Sequence, residues 1–188
     1  MKKLIVMLCV FSMIENMATA QNNDFRGFAW GNTLNTVKTE EKATFVQKEK
    51  DDLLKYQDKL ASADCDLIYV FNDNDKLVSG IYYFTKKHNN PQLYLQDYNK
   101  FKMLLSQKYG QPNVDRRIES GDAQKETAPQ ELAEGKLSLV STWTNDRSNI
   151  KLSLVEINQV PMLQIHYTAN KLSELENPAD LKEALLKL

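Results

Sequence analysis

The chain has 188 residues, with 24 basic and 25 acidic side chains and a hydrophobic fraction of 42%. Charges of both signs are interleaved and no long basic stripe occurs, which argues against nucleic acid and anionic membrane surfaces as partners. A chain of this length can bury roughly 70% of its unfolded surface, so it can fold around a hydrophobic core of its own.

Residues 1–20 have the pattern of a secretory signal peptide. The pair Lys2-Lys3 precedes the apolar run 4–11, and Ala18-Thr19-Ala20 has the small-x-small pattern of a cleavage site. The apolar run is too short for a permanent transmembrane helix, which needs about 20 residues. We expect cleavage after Ala20, a periplasmic or secreted protein, and no membrane span after cleavage.

Residues 25–30 are expected to form an extended aromatic lead-in to a short helix. Thr33 has the hydroxyl needed to cap a helix N-terminus, and Leu34 and Val37 are spaced to face inward. We expect this first helix to end near Lys42.

A β-hairpin is predicted after this helix. The aromatic and β-branched runs 66–71 and 77–84 are separated by the Asn/Asp-rich turn 72–76. Residues 53–60, which precede the hairpin, are also expected to be extended.

Residues 92–109 carry the clearest helical pattern in the chain. Gly110 is expected to provide a left-handed C-cap, and Pro112 prevents the helix from continuing. The i, i+3, i+4, i+7 spacing predicts one buried stripe, made of Leu95, Tyr98, Phe101, Leu104, Leu105 and the stem of Lys108.

The next segment, residues 113–128, is polar and lacks periodicity, so we interpret it as a linker, followed by a short helix over 129–134. Three amphipathic strands of an antiparallel sheet then follow. Their predicted core residues are Leu137, Leu139, Trp143, Ile150, Leu152, Leu154, Leu163, Ile165 and Tyr167, and their predicted solvent-facing residues are Ser138, Thr142, Lys151, Ser153, Gln164, His166 and Thr168.

The chain as a whole is predicted to be an α+β protein of two similar α-βββ halves. Helices pack on one face of antiparallel sheet, and Asn177-Pro178 begins an additional amphipathic C-terminal helix. We divide the chain into the signal peptide (1–20), the first α-βββ half with the helix of the second half (21–112), the polar linker with its short helix (113–135), and the second sheet half with the C-terminal helix (136–188).

Three short motifs carry a resemblance to known proteins. Phe25-x-x-Phe-x-Trp-Gly-Asn-Thr33, Leu105-x-x-Lys-Tyr-Gly-x-Pro112 and the segment from Gly135-Lys-Leu137 to Trp143 resemble a group of secreted bacterial proteins with the theme Phe-x-Trp-Gly-Thr-Ser. In architecture the chain looks like β-lactamase inhibitory protein and the small lipoprotein of the outer-membrane barrel-assembly machinery. This resemblance implies a binding protein without a catalytic centre.

Cleavage would leave Cys65 as the single cysteine, so no intramolecular disulfide is expected, and pairing between chains stays open. A cysteine hydrolase would need a thiolate activated by a positioned base, for which His88 and His166 are the only histidines. Asp64 and Asp66 flank the cysteine and would raise the pKa of its thiol. We interpret Cys65 as a half-buried strand residue.

The remaining polar residues suggest no site. His88 lies in a predicted turn and His166 on a solvent-facing strand position, without a carboxylate at metal-ligand spacing. The acidic cluster Asp64, Asp66, Asp73 and Asp75 lacks the glycine and distal glutamate of a calcium loop. We therefore assign no catalytic, cofactor-binding or metal-binding residue, and expect no cofactor.

The aromatic residues of the predicted strands leave two interpretations open. They can form the core, or several can project from an open sheet face as a recognition surface. We predict a secreted, non-enzymatic protein-binding or assembly module of the bacterial envelope whose partner is another envelope protein. The alternatives are a hydrolase whose site is assembled only by the fold and a small-ligand carrier with an apolar pocket of about 300 Å³. The residues in question are Tyr69, Tyr82, Tyr83, Phe84, Trp143 and Tyr167.

Overall fold

The computed structural model describes residues 23–49, 52–119, 127–157 and 160–171. The predicted signal peptide and the predicted C-terminal helix lie outside the described residues. Within these ranges no helix is both long enough and apolar enough to cross a membrane.

The described residues form three helices and eight strands in an α+β arrangement. In chain order these elements are α1 (Leu34–Glu40), β1 (Thr44–Glu49), β2 (Leu53–Leu60), β3 (Ala63–Phe71), β4 (Leu77–Phe84), α2 (Pro91–Tyr109), β5 (Val114–Glu119), α3 (Ala128–Ala133), β6 (Leu137–Thr144), β7 (Ser148–Ile157) and β8 (Val160–Ala169).

All eight strands belong to one antiparallel sheet with the order β1-β2-β3-β4-β8-β7-β6-β5. Its central pair is β4 and β8, where Ile81 lies opposite His166. The predicted hairpin is confirmed as β3 and β4, and the predicted extended segment 53–60 is confirmed as β2.

The sheet has two strands more than the sequence pattern indicates. Residues 114–119, interpreted as part of a linker, form β5, and residues 44–49 form the unpredicted β1. Both are edge strands, and their described side chains are mainly exposed. An edge strand obtains its hydrogen bonds from one neighbour and needs no buried face of its own, so hydrophobic periodicity does not reveal it.

Alternating residues along the strands form a hydrophobic core on one side of the sheet, which we call the core face. It includes Leu67 and Tyr69 of β3, Tyr82 of β4, and Ile165 and Tyr167 of β8, all buried. The other side is the outer face. The predicted core residues of β6–β8 are confirmed as buried, except Leu139, which is half-buried.

Two serines on β6 and β7 depart from the predicted pattern. Ser141 lies on the core face, where its hydroxyl is 2.7 Å from the Tyr98 hydroxyl of α2. Ser153 lies on the outer face, as predicted, but is only 1% exposed.

Both α1 and α2 are capped; the Thr33 cap and the glycine at position 110 are predicted from the sequence, whereas the Asn90 cap is not. Thr33 Oγ1 accepts a hydrogen bond of 3.1 Å from the Thr36 amide at the start of α1, and Asn90 caps α2 next to Pro91. Gly110 ends α2 with a φ of +84°, a conformation that favours glycine, although its ψ of −169° is not left-handed helical. These local signals explain why the helix boundaries could be predicted.

The buried stripe of α2 differs from the predicted one at Leu104, which is 36% exposed, and at Lys108, which is also exposed. Tyr94 is buried instead, at the start of the helix. Phe101 stacks on Phe84 of β4 with 4.2 Å between ring centroids. The stripe is therefore rotated toward residues 94, 98 and 101, and Leu104 is left at its margin.

Candidate binding surface

The aromatic residues proposed as a recognition surface belong mainly to the core. Tyr69, Tyr82, Phe84, Trp143 and Tyr167 are all buried on the core face, which confirms the interpretation of these five as core residues and excludes them from an exposed recognition surface. Only Tyr83 remains on the outer face, where it is half-buried. Strand alternation separates two faces, but it does not indicate which face the rest of the chain will cover.

The lead-in explains why these tyrosines are buried. The ring of Phe25 lies 5.3 Å from Tyr69, 5.2 Å from Tyr82 and 5.3 Å from Tyr167, measured between ring centroids. This position places Phe25 directly over Gly80, whose lack of a side chain makes room for the ring. The lead-in therefore covers the centre of the core face.

The outer face is the candidate binding surface that remains. One row across it contains Ile68, Ile81, His166 and Lys151, each paired with the next on the neighbouring strand. Ile68, Ile81 and His166 are half-buried and Lys151 is exposed. The centre of this face thus combines aliphatic contact area with one histidine and one lysine.

A second row extends the apolar area toward the β5 edge. It includes Tyr83 on β4, Val140 on β6 and Arg116 on β5, and the neighbouring Ile118 of β5 is 51% exposed. An exposed isoleucine beside a half-buried valine supplies apolar surface that an association could remove from water.

The outer-face charges are unevenly distributed. Asp66 is paired with Lys55 at 2.9 Å near the β2 side. Among the described residues no carboxylate forms an ion pair with Arg116 or Lys151. The β5–β7 part of the outer face is therefore basic, and acidic groups of a partner would complement it.

His166 is fixed on this face by hydrogen bonds. Its Nε2 lies 2.6 Å from Ser79 Oγ, and the Ser79 hydroxyl donates to the Tyr167 carbonyl at 3.0 Å. Because the single hydroxyl proton of Ser79 is used on the carbonyl, Nε2 must donate to Ser79 Oγ. Burial, together with the positive charge of Lys151, lowers the pKa of His166.

His88 is more enclosed than its position in a loop suggests. Its Nε2 lies 2.7 Å from Asp97 Oδ2 on α2, and its side chain is 7% exposed. Its ring also packs edge-on against Tyr94, with 4.7 Å between centroids. The fold thus supplies a carboxylate partner that sequence spacing did not indicate, and the pair ties the β4–α2 loop to the helix.

The position of Cys65 does not favour nucleophilic chemistry. Cys65 is buried, its Sγ donates to the Asp58 carbonyl at 3.4 Å, and burial followed by the Asp58 charge raises its pKa to about 11. A thiol with this pKa is protonated at neutral pH and is a poor nucleophile. The predicted direction of the pKa shift is correct, although burial and Asp58 on the neighbouring strand both contribute more than the flanking Asp66.

Asp73 and Asp75 belong to the hairpin turn between β3 and β4, as predicted from the sequence. Asn72 Oδ1 accepts hydrogen bonds from the amides of Asn74 at 3.1 Å and Lys76 at 2.9 Å, so the turn is closed by its own side chain. Among the described residues there is no group of three His, Cys, Asp or Glu side chains arranged to hold a metal ion.

A partly buried ionic cluster that sequence reasoning missed attaches the lead-in to the sheet. Arg26 donates two hydrogen bonds to Glu41, at 3.2 and 3.1 Å, and its third nitrogen lies 2.6 Å from Asp58. The Tyr69 hydroxyl and the Ala43 amide also donate to Glu41. Burial alone would raise the pKa of Glu41, but these hydrogen bonds outweigh it and lower that pKa.

The conformation of Arg26 supports a positioning role for this cluster. Its φ of 51° is uncommon for a residue with a side chain and costs conformational energy. Arg26 and Gly27 form a tight turn closed by backbone hydrogen bonds between Phe25 and Phe28, so this part of the lead-in is a turn rather than extended. The bidentate contact with Glu41 fixes the Arg26 side chain that projects from this turn. We therefore interpret the cluster as the attachment of the lead-in, and the outer face as the candidate binding surface.

No protein-family model, curated protein or solved structure matches this chain.

Residues of the three motifs that carry the resemblance to secreted bacterial proteins have structural roles in this fold. The Trp30 indole donates to Ser148 Oγ at 2.9 Å, and Thr33 caps α1. Trp143 Nε1 donates to the Gly110 carbonyl at 2.9 Å. Each motif thus stabilises a junction between elements.

Proposed function

We propose that the protein is a non-enzymatic binding or assembly module of the bacterial envelope, exported after cleavage at Ala20, that engages an envelope protein through its outer face. The observation that supports this proposal is the combination of half-buried aliphatic surface at Ile68, Ile81 and Val140 with basic groups at Arg116 and Lys151. Aliphatic area would drive the association and the basic groups would select an acidic partner surface.

We also propose that the chain consists of two related halves, α1 with β1–β4 and α2 with β5–β8, each with its helix on the core face. The strand order supports this, because it runs outward from the central β4–β8 pair to β1 on one side and β5 on the other. The buried Val37 of α1 and the stacking of Phe101 on Phe84 support the placement of the helices. This arrangement gives four strands to each half rather than three.

A charge-reversal experiment tests the proposed function. The tagged protein is crosslinked in its native envelope, the captured protein is identified and purified, and its binding is measured with the wild type and with Arg116→Glu/Lys151→Glu. We expect the double variant to bind at least about tenfold more weakly, because like charges juxtaposed across an interface cost several kcal/mol. Lys38→Glu, an exposed position on α1, is the matched control.

Two outcomes would contradict the proposal. One is equal weakening by Lys38→Glu and by the outer-face variant, which would indicate nonspecific electrostatics. The other is recovery of the folded wild-type protein without any reproducible partner.

A further inference from the structure

A small apolar cleft lies between α2 and the core face of the sheet. Its volume is about 180 Å³. Leu104 and Leu105 of α2 form one wall, and Ile165 and Tyr167 of β8 and Tyr82 of β4 form the floor. Leu104, which the helical pattern predicts to be buried, is instead exposed at the rim of this cleft.

The two tyrosines that border the cleft also interact with residues outside it. The Tyr82 hydroxyl interacts electrostatically with Arg26, and the Tyr167 ring contacts the Tyr109 ring with 6.4 Å between centroids. Both rings are largely buried under Phe25, and the part of each that lines the cleft is apolar surface. The lining formed by these two rings and the neighbouring aliphatic side chains therefore suits a hydrocarbon group.

Lys108 is the cation of this cleft. It lies one helical turn after Leu104, borders the cleft, and is exposed to solvent. Its ammonium group is 4.9 Å from the centroid of the Tyr109 ring, and among the described residues no carboxylate forms an ion pair with it. An unpaired cation beside an apolar cleft complements an anion that carries an apolar tail.

The cleft volume limits the size of that tail. An apolar cavity of about 150 Å³ is known to hold one benzene molecule, whereas sites for drug-sized ligands begin at about 300 Å³. A cleft of about 180 Å³ therefore accepts one aromatic ring or a short alkyl chain. It is smaller than the pocket that the carrier alternative requires.

We propose that this cleft binds small apolar monocarboxylates, with a short alkyl or aryl tail against Leu105 and Ile165 and the carboxylate beside the Lys108 ammonium. The site is on the core-face side of the sheet, so it is separate from the proposed protein-binding surface. It does not depend on the envelope partner.

Calorimetric titration with octanoate, 3-phenylpropionate and the neutral analogue 1-octanol tests this proposal. We expect saturable binding of one octanoate per chain and weaker binding of 1-octanol by roughly twofold to fivefold, the range of an exposed ion pair. Lys108→Gln should lower octanoate affinity to that of 1-octanol and leave 1-octanol binding unchanged. Lys87→Gln, an exposed lysine in the β4–α2 loop, should leave both unchanged.

A cleft-filling variant provides an independent readout. Leu104→Trp at the exposed rim should reduce binding of all three ligands by at least about tenfold, with an unchanged circular dichroism spectrum. Amide chemical shifts should move at Leu105 and Ile165 when octanoate is added to the wild type. Absence of saturable octanoate binding would overturn the proposal, as would equal affinity for octanoate and 1-octanol, or shifts confined to Ile81 on the outer face.

Discussion

His166 and Ser79 join the two central strands of the sheet through a side-chain contact of 2.6 Å between Nε2 and Oγ. The contact lies on the outer face, across the β4–β8 pair that connects the N-terminal and C-terminal strands. Because the imidazole is half-buried and Lys151 is the neighbouring residue on β7, the neutral form of His166 is favoured in the folded protein.

This arrangement predicts a loss of stability in mild acid. The pKa of His166 is lower in the folded state than its ordinary value of about 6.5, so between those two pKa values the unfolded chain binds the additional proton. The free energy of unfolding should therefore fall as the pH decreases below about 6.5 and level off below the folded-state pKa. Urea titrations at several pH values between 7.5 and 5 measure this free energy of unfolding.

Two variants identify the source of that pH dependence. His166→Gln keeps a hydrogen-bond donor near Ser79 and should remove the part of the pH dependence that comes from protonation of His166. Lys151→Met should reduce it, because the repelling charge on β7 is lost. An unchanged pH profile in His166→Gln would contradict the assignment.

Gly80 and Phe25 are predicted to be energetically coupled. A methyl group at Gly80 would overlap the Phe25 ring, so Gly80→Ala should destabilise the protein by about 1–3 kcal/mol, the usual cost of overpacking. In a Phe25→Leu background the same substitution should cost less, since the ring is absent. A double-mutant cycle by chemical denaturation measures the coupling, and additive effects would contradict the proposed contact.

Removal of the hydroxyl group from two buried tyrosines on adjacent strands should have different effects on the free energy of unfolding. The Tyr69 hydroxyl donates to the Glu41 carboxylate, so Tyr69→Phe should cost about 1.5–3 kcal/mol, as expected for a hydrogen bond to a charged group. The Tyr56 hydroxyl is buried without a hydrogen-bond partner in the described part of the chain. Tyr56→Phe should therefore be neutral or stabilising by up to about 1 kcal/mol.

The unfolding free energies of these two isosteric variants provide the comparison. Equal destabilisation would show that the hydroxyl of Tyr56 has a partner or that the hydrogen bond to Glu41 contributes little.

The Arg26–Glu41 pair should contribute far more than an exposed pair elsewhere in the sheet. Replacing Glu41 by Gln leaves the Arg26 charge without its bidentate partner and should cost about 2–4 kcal/mol. The Lys59–Asp64 pair is more than 60% exposed on both sides, so Lys59→Met should cost no more than about 0.5 kcal/mol. Thermal unfolding at pH 7 compares the two, and a similar loss from both would contradict the role of the cluster.

The elements that could be predicted from sequence are those with local signals. The α2 helix combines an apolar stripe with the C-terminal Gly110 and the following Pro112 within one continuous segment. The β3–β4 hairpin is likewise indicated by the turn Asn72–Lys76 between two apolar runs. Each signal involves residues close together in the chain.

The features that could not be predicted depend on contacts between distant residues. Arg26 and Glu41 are 15 positions apart, and no spacing rule connects a loop arginine to a carboxylate after a helix. The burial of Tyr82 depends on Phe25, which arrives from a different segment. The cleft could not be predicted, because the helical pattern places Leu104 in the buried stripe and gives no sign of an opening beside it.

Site-specific photocrosslinking at Tyr83 tests the central claim, that the outer face binds an envelope protein, most directly. A photoreactive phenylalanine analogue replaces Tyr83, which is already aromatic, and Lys38 on α1 serves as the control position. We predict that irradiation of intact cells yields one crosslinked protein from position 83 and none from position 38, and that Arg116→Glu/Lys151→Glu suppresses it. No crosslink from position 83, or the same products from both positions, would contradict binding through the outer face.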